Sequence, residues 1–249
     1  METEFVCWYS DGAASAVATK LMVDTGAEIR IIKAETNSEH PDNERFRQEI
    51  AQWLKRPIEV LENGKYKDLD DCIEKSRFLR SEKGARCTSD LKKRVRFNIG
   101  ELEKTHVFGY TADPKDIKRA ERLKLSSPEY KLRFPLIEQG LTKADCFQVI
   151  QKAGITLPAM YLLGYENNNC LGCLKASGIG YWLSVKKNFP DIFWKRASQE
   201  RDLGYALCRV NGNPVFLDDL EKTLETRNDV PGQLKIESLS CDFLCGETA

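Results

Sequence analysis

Residues 7–22 read CWYSDGAASAVATKLM. An apolar run ends at Tyr9, a turn of small and polar residues follows, and a stretch of helical composition begins. Strand, small-residue turn and helix in that order can grip phosphate, because the N–H groups at a helix start have no partner within the helix and point at a ligand. Short Gly-Ala turns serve many folds, so the meaning of Ser10, Asp11, Gly12, Ala13, Ala14 and Ser15 depends on what surrounds them.

Outward from that turn, residues 4–9 predict a strand, 13–24 a helix, and AEIRIIKAET a second strand ending near Glu35. HPDNERFRQEIAQWLKR has Pro and Asp at its start and then Phe46, Ile50, Trp53 and Leu54 at helical spacing, leading into the short strand IEVLE. A helix near 68–80, another beginning near Cys87, the strand THVFGY and a basic helix near 114–124 continue the alternation. The pattern predicts an α/β fold, a Rossmann-like parallel sheet flanked by helices. Ligands of such sheets bind at the carboxyl ends of the strands, where Ser10, Glu35 and the Gly109-Tyr110 loop would emerge together.

Past about residue 135 the character changes. Thr142 reads as a helix N-cap with a Gly stop downstream, GYWLSVKKNFP and DIFWKRASQERDLG are helical in period, and Asn211-Gly212-Asn213 between two apolar runs predicts a hairpin. The expected organisation is a nucleotide-binding α/β domain over 1–135 and a helical, cysteine-rich region over 136–249 packed on it.

The 249 residues suffice for a sizeable core. No apolar run approaches the roughly 18 residues that span a bilayer, and the start lacks a signal-peptide pattern, so a cytoplasmic protein with no membrane role is expected. Lys plus Arg equal Asp plus Glu at 38 each, which leaves no global field to recruit nucleic acid. Local basic segments remain, and homo-oligomerisation stays open.

Nine cysteines, an odd number, argue against a closed disulfide framework. Cys7, Cys72, Cys146 and Cys208 lie in apolar or amphipathic patterns and read as core residues. Cys87, Cys170, Cys173, Cys241 and Cys245 lie in loop-like sequence and are the candidates for chemistry. Cys170 and Cys173 form a Cys-x-x-Cys turn with a Gly, a spacing that brings two thiolates to one metal or cluster or makes a redox pair. With only two His in the chain, thiolates must supply most of any metal site, which favours an iron–sulfur cluster or a cysteine-rich zinc site.

The order of these motifs resembles the phosphoadenosine phosphosulfate (PAPS) reductase family, within the adenine nucleotide alpha-hydrolase or PP-loop superfamily, over about residues 5–176. SDGAAS resembles the PP-loop, a variant of Ser-Gly-Gly-x-Asp-Ser. ARCTSDLKK resembles the family's Cys-Cys-x-x-Arg-Lys segment, with Cys87 at the second Cys and Lys92 at the Lys. FPLIEQGLTKADCFQVIQKAGITLPAMYLLGYENNNCLGC resembles a Pro-Leu segment, a helix and a Tyr-x-x-Gly-Tyr segment that runs into Cys-x-x-Cys.

The resemblance implies an adenine nucleotide (PAPS, APS or ATP) held by Ser10–Ser15, Glu35, Gly109, Tyr110 and Arg119. It also implies a 4Fe–4S cluster on Cys87, Cys170 and Cys173, with Cys241 as fourth ligand or resolving thiol and zinc as the alternative metal. Cys245, followed by Gly246 and Glu247, matches the family's nucleophile, with Lys92 neutralising charge near the sulfur and a thioredoxin-like reductant clearing the product. Three departures bear on the reaction: Arg86 replaces the first Cys of the pair, Ala14 the PP-loop Asp, and Thr111 the Arg of a Gly-x-Arg segment. The alternative expectation is an ATP-dependent sulfurtransferase acting on tRNA or DNA, with a basic surface from Lys92, Lys93, Arg94, Lys115, Lys118 and Arg119.

Overall fold

The computed structural model describes residues 4–81 and 84–225. Five parallel strands form one sheet: β1 (Phe5–Tyr9), β2 (Ile29–Ala34), β3 (Glu59–Leu61), β4 (Thr105–Phe108) and β5 (Lys131–Arg133), in spatial order β3-β2-β1-β4-β5. Cys7 on the central strand is level with Ile31 on one side and Val107 on the other. Successive crossovers run outward to β3, and then the chain returns to the other side of β1. The order therefore reverses between β1 and β4, the kind of position at which open parallel sheets bind ligands.

The crossover helices are α1 (Ala13–Asp24), α2 (Asn43–Leu54), α3 (Leu69–Ser76), α4 (Arg94–Ile99) and α5 (Pro114–Ser126). Helix α1 is buried around most of its girth, at Ala13, Ser15, Ala16, Val17, Ala18, Thr19 and Met22, because α6 (Pro135–Glu138) and α7 (Lys143–Lys152) cover the side turned away from the sheet. Its run of small residues follows from that covering. Helix α7 begins at a reciprocal cap, in which the Thr142 hydroxyl accepts from Asp145 N and the Asp145 carboxylate accepts from Thr142 N at 2.8 Å.

Beside two small clusters, two large apolar cores result among the described residues. One lies between the sheet and α1, α2 and α7, and includes Cys7, Phe46, Ile50, Leu136, Cys146 and Ile150. The other joins α3 to the later segment: Leu69, Ile73 and Leu79 pack with Met160 of α8 (Ala159–Leu162), Trp182 and Val185 of α9 (Ile179–Asn188) and Phe193 of α10 (Pro190–Leu203). The hairpin of β6 (Cys208–Val210) and β7 (Asn213–Val215) turns through Asn211 and Gly212, both at positive φ, as an Asn-Gly turn requires. Helix α11 (Leu220–Glu225) ends the described segment. Cys7, Cys72, Cys146 and Cys208 are all buried. No described helix is long and apolar enough to cross a membrane.

The structure departs from the sequence reading in detail. Strand β5 was unexpected, because Lys-Leu-Arg carries no apolar alternation and exists as a strand only by pairing with β4. The helix expected over 68–80 stops at Ser76, where Arg77 turns left-handed. After Cys87 the chain makes a π-helical turn over Thr88–Lys93 before α4 begins.

Glu200 of α10 is fully buried, and its two carboxylate oxygens accept from Leu207 N and from Leu217 N, the latter at 2.7 Å. It thereby ties the segments flanking the hairpin to α10. Burial pushes this carboxyl up to about 7, against the two N–H bonds that favour the anion. The folded state holds this proton more tightly than the unfolded chain, so stability falls as pH rises from about 4.5 to about 7. Glu200→Gln is expected to flatten that part of the profile, and to lower stability at neutral pH by about 1–3 kcal/mol because its NH2 faces an N–H donor. Urea denaturation across pH measures both effects.

Candidate nucleotide and thiol site

The turn between β1 and α1 is built by its own side chains. Ser15 Oγ accepts from Ser10 N at 3.1 Å and donates to Gly12 O at 2.9 Å, which folds the turn over the first residues of α1. Ser10 Oγ lies 3.1 Å from the same oxygen. Asp11 takes a left-handed conformation, φ +53°, and Gly12 is the extended residue before the helix. Ala13 N is occupied by Tyr161 Oη of α8, which also accepts from Asn168 N, and burial pushes that phenol up to about 12.

Gly109, at the end of β4, lies against this turn. A Cβ there would fall 2.5 Å from Ser15 Cα and 2.6 Å from Ser15 N, so only glycine lets the two loops meet. Tyr110 stacks on Phe134 at 5.6 Å between ring centroids, and the Arg119 guanidinium lies 4.6 Å from the Tyr110 ring centroid. Arg119 also pairs with Asp116 at 2.6 Å.

Beneath the turn lies a charge cluster that the sequence reading assembled only in part. Lys33, inside β2, is buried, and its ammonium meets Glu35 at 2.8 Å, Asp11 at 3.2 Å and Glu39 at 3.4 Å. Arg47 of α2 reaches Asp11 at 3.3 Å and Glu35 at 3.5 Å. Burial pushes the Asp11 carboxyl up to about 6, against the pull of Lys33 and Arg47. Burial also acts upward on Glu35, but the Lys33 ammonium and the N–H groups of Thr36 and Asn37 outweigh it and hold that carboxyl at about 2. Glu35 is thus an anion throughout the physiological range, with Oε1 committed to its own loop.

The Cys-x-x-Cys loop comes to the same edge of the sheet. Leu171 N donates to Ser38 O at 2.8 Å, and Cys170 Sγ lies 3.4 Å from Thr36 Oγ1, just beyond β2. From the other side, Arg196 holds Gly172 O at 3.1 Å, Arg80 holds Lys175 O at 3.0 Å, and Trp182 Nε1 donates to Ala176 O at 3.1 Å. The loop is therefore held at Cys170 and Leu171 by the segment beyond β2 and at Gly172, Lys175 and Ala176 by groups from the second core. Asn168, just ahead of it, donates to Asp11 O at 2.6 Å and to Asn43 Oδ1 at 2.8 Å, which couples the cysteine loop to the turn.

Cys87 immediately precedes the π-helical turn. Hydrogen bonding from i to i+5 sets Cys87 and Lys92 on one face, a relation that α-helical periodicity would not give. Cys87, Cys170 and Cys173 feel one another's charge, and the Lys92 ammonium feels all three. Burial pushes the Cys87 thiol up to about 12, with Cys173 and Cys170 adding to it. Burial raises Cys170 as well, opposed by Lys92 and Thr36. Burial works against the charge on Lys92, but the thiols and Glu39, at 3.4 Å, more than offset it and raise its proton affinity.

The structure thus gathers Ser10–Ser15, Glu35 and Gly109 at one end of the sheet, with Tyr110 and Arg119 beside them on the β4–α5 side. It gathers Cys87, Cys170, Cys173 and Lys92 next to Glu39. Cys241 and Cys245 lie outside the described residues. Among the described residues no group of three or more His, Cys, Asp or Glu is set close enough to hold a metal ion as it stands. The donor chemistry of three neighbouring thiols nonetheless suits a soft metal or an iron–sulfur cluster. Sequence reasoning missed Lys33, Glu39, Arg47, Tyr161 and Asn168. A lysine within the apolar run IRIIKA was a signal for the first, and the others are fixed by contacts between distant segments.

No protein-family model matches the chain, and no curated protein matches it significantly by sequence. Among solved structures it is similar to phosphoadenylyl-sulfate (PAPS) reductase from Candida auris in a phosphate complex, at 12% identity and a TM-score of 0.49, covering 68% of this chain and 82% of that one. At that score and identity the likeness carries no argument about residues or reaction.

Gly109→Ala is expected to push the β4 loop off α1, costing about 1–3 kcal/mol of stability as overpacked sites do. Thermal denaturation of the variant beside the wild type measures the loss.

Proposed function

We propose that the protein is an enzyme that binds an adenine nucleotide at the Ser10–Ser15 turn and carries out sulfur chemistry beside it. The observation that carries this reading is the 3.4 Å approach of Cys170 Sγ to Thr36 Oγ1, which sets the first thiol of the Cys-x-x-Cys loop just beyond the carboxyl end of β2. Phosphate groups belong at the start of α1, where the helix dipole favours an anion. Lys92 supplies positive charge where sulfur becomes anionic.

The reaction this favours is thiol-dependent reduction of a sulfonucleotide, PAPS or APS. A thiolate, assigned by its sequence context to Cys245, attacks the substrate sulfur. The sulfur–oxygen bond to the phosphate breaks, the electron pair leaves with the adenosine phosphate, and an S-sulfonated cysteine remains. A thioredoxin-like dithiol then attacks the cysteine sulfur, releases sulfite, and is oxidised to its disulfide with the enzyme thiol restored. Cys87, Cys170 and Cys173, with Cys241 as the candidate fourth ligand, would hold a 4Fe–4S cluster, which supplies charge stabilisation next to the reacting sulfur. Zinc would serve the same thiols as a structural metal.

A second reading is ATP-dependent sulfur transfer to tRNA or DNA. It is favoured by Arg86, which stands where a fourth thiol is expected and pairs with Asp90 at 3.3 Å. In that reaction the acceptor oxygen is adenylated, pyrophosphate leaves, and a sulfur nucleophile displaces AMP.

Anaerobic purification followed by iron, sulfide and zinc analysis of the wild type beside Cys87→Ser, Cys170→Ser and Cys173→Ser is expected to show iron and sulfide that each substitution lowers several-fold. Cys245→Ser should keep the metal and lose turnover. Sulfite release from PAPS or APS with a dithiol reductant supports the first reaction, and tRNA- or DNA-stimulated pyrophosphate release supports the second. Absence of nucleotide binding by the wild type overturns both.

A further inference from the structure

Lys143 has no role in either of these reactions and sits where a cation is costly. It is the first residue of α7, so its charge lies near the positive end of that helix dipole. It is half-buried, and its Nζ donates to Glu166 O and, at 2.8 Å, to Asn167 Oδ1, both of them uncharged acceptors. Glu166, Asp116 and Asp113 act on it only at longer range, and no ion pair joins them to it among the described residues. Asp113 Oδ2 is taken by Thr111 Oγ1 and by Lys143 N, and Asp116 by Thr111 and Arg119. Burial, with Arg119 adding to it, lowers the proton affinity of the amine. Charges removed from water are ordinarily paired, and this one has two neutral partners and one proton left to donate.

Its surroundings lead to the phosphate turn by two routes. The ammonium lies 5.5 Å from the ring centroid of Tyr161, whose hydroxyl accepts from Ala13 N at the start of α1. Glu166 and Asn167, which hold the ammonium, run directly into Asn168, which donates to Asp11 O. The backbone N of Lys143 is bonded to Asp113 in the β4–α5 loop, whose Gly109 abuts Ser15. Thr111 of that loop spends its Oγ1 on Asp113 and Asp116.

We propose that Lys143 is the specificity-determining cation of the nucleotide site, binding the distal oxyanion of the substrate, the phosphoryl or sulfo group beyond the α-phosphate. The inference rests on the nucleotide reading above and goes further by naming which nucleotides are accepted: those with an anionic group past the first phosphate. An approaching oxyanion takes the third ammonium proton as a charge-assisted hydrogen bond and gives the amine the counter-charge it lacks. A site built this way discriminates against AMP, which leaves the ammonium as unpaired as before.

The test is calorimetric titration of the full chain with ATP, adenosine 5′-phosphosulfate, AMP and inorganic pyrophosphate, using the wild type, Lys143→Met and Lys143→Arg. The wild type is expected to bind ATP and the phosphosulfate more tightly than AMP. Lys143→Met should lose about tenfold or more in affinity for those two, the effect of one charge-assisted hydrogen bond, with AMP unchanged. Lys143→Arg should retain the preference. Lys143→Met is also expected to melt at the same temperature as the wild type or higher, because it removes a half-buried unpaired charge. Unchanged discrimination in a folded Lys143→Met overturns the proposal. A wild type that binds pyrophosphate through Lys143 but no nucleotide overturns the nucleotide reading and keeps the anion site. Binding of none of the four overturns both.

Discussion

Three carboxylates converge on Lys33, a strand residue whose side chain is 2% exposed, and the carboxyl end of the sheet is organised around its ammonium. Asp11 anchors the β1–α1 turn to it, Glu35 the end of β2, and Glu39 the loop that leads into α2. Such a cluster adds little net stability over an apolar replacement, yet removing one partner costs about 3–5 kcal/mol because a buried charge is left uncompensated. Its effect is therefore on position. Asp11 holds a left-handed conformation that glycine would adopt more easily, and its carboxylate, fixed by Lys33 and Arg47, keeps the turn in that shape. The second core treats its charges differently. Both oxygens of Glu200 accept backbone N–H groups, and Arg196 is bonded to Gly172 O, Gln199 and Asp70.

The thiol neighbourhood depends on both cores at once. Cys170 touches Thr36 beyond β2, Gly172 and Lys175 are held by arginines from the second core, and Gly172 is so closely packed that a Cβ would fall 2.7 Å from Ile192 Cγ2. Cys87 arrives from a third direction on the π-helical turn. Thiols drawn from separate segments and fixed by backbone hydrogen bonds keep their relative position without help from flexible side chains, as a preorganised site must. Glu39 lies between this group and the turn: one oxygen meets Lys92 at 3.4 Å and the other Lys33 at 3.4 Å. A line of alternating charge therefore runs from the thiols to Asp11.

Features readable from the sequence are those fixed by local chemistry. Apolar periodicity marked α2, Thr142 marked the start of α7, and Asn211-Gly212-Asn213 marked the hairpin. The four cysteines read as core residues are packed as expected for the same reason, since Cys7, Cys72, Cys146 and Cys208 sit in apolar or amphipathic patterns and are buried in space. What escaped notice depends on distant segments. Strand β5 is three residues long and owes its conformation to β4. Lys33 reads as a surface residue until Asp11, Glu35 and Glu39 surround it, and the π-helical turn that aligns Lys92 with Cys87 carries no periodic signature.

The charged groups of the interior also separate structure from site. A buried charge that serves only the fold can spend its whole hydrogen-bonding capacity on neighbours, and any shortfall costs stability with no return. Glu200 meets that condition with both oxygens bonded. At the carboxyl edge of the sheet the condition fails: Asp11 Oδ1 and Asn168 Oδ1 are buried with no partner among the described residues. Asp11 and Asn168 belong to different segments and are joined by the bond from Asn168 to Asp11 O. Unspent capacity occurs elsewhere too, at Arg80 Nε, Glu101 Oε2 and Arg122 Nε, so what distinguishes this pair is its place at the carboxyl end of β1, where open parallel sheets bind ligands.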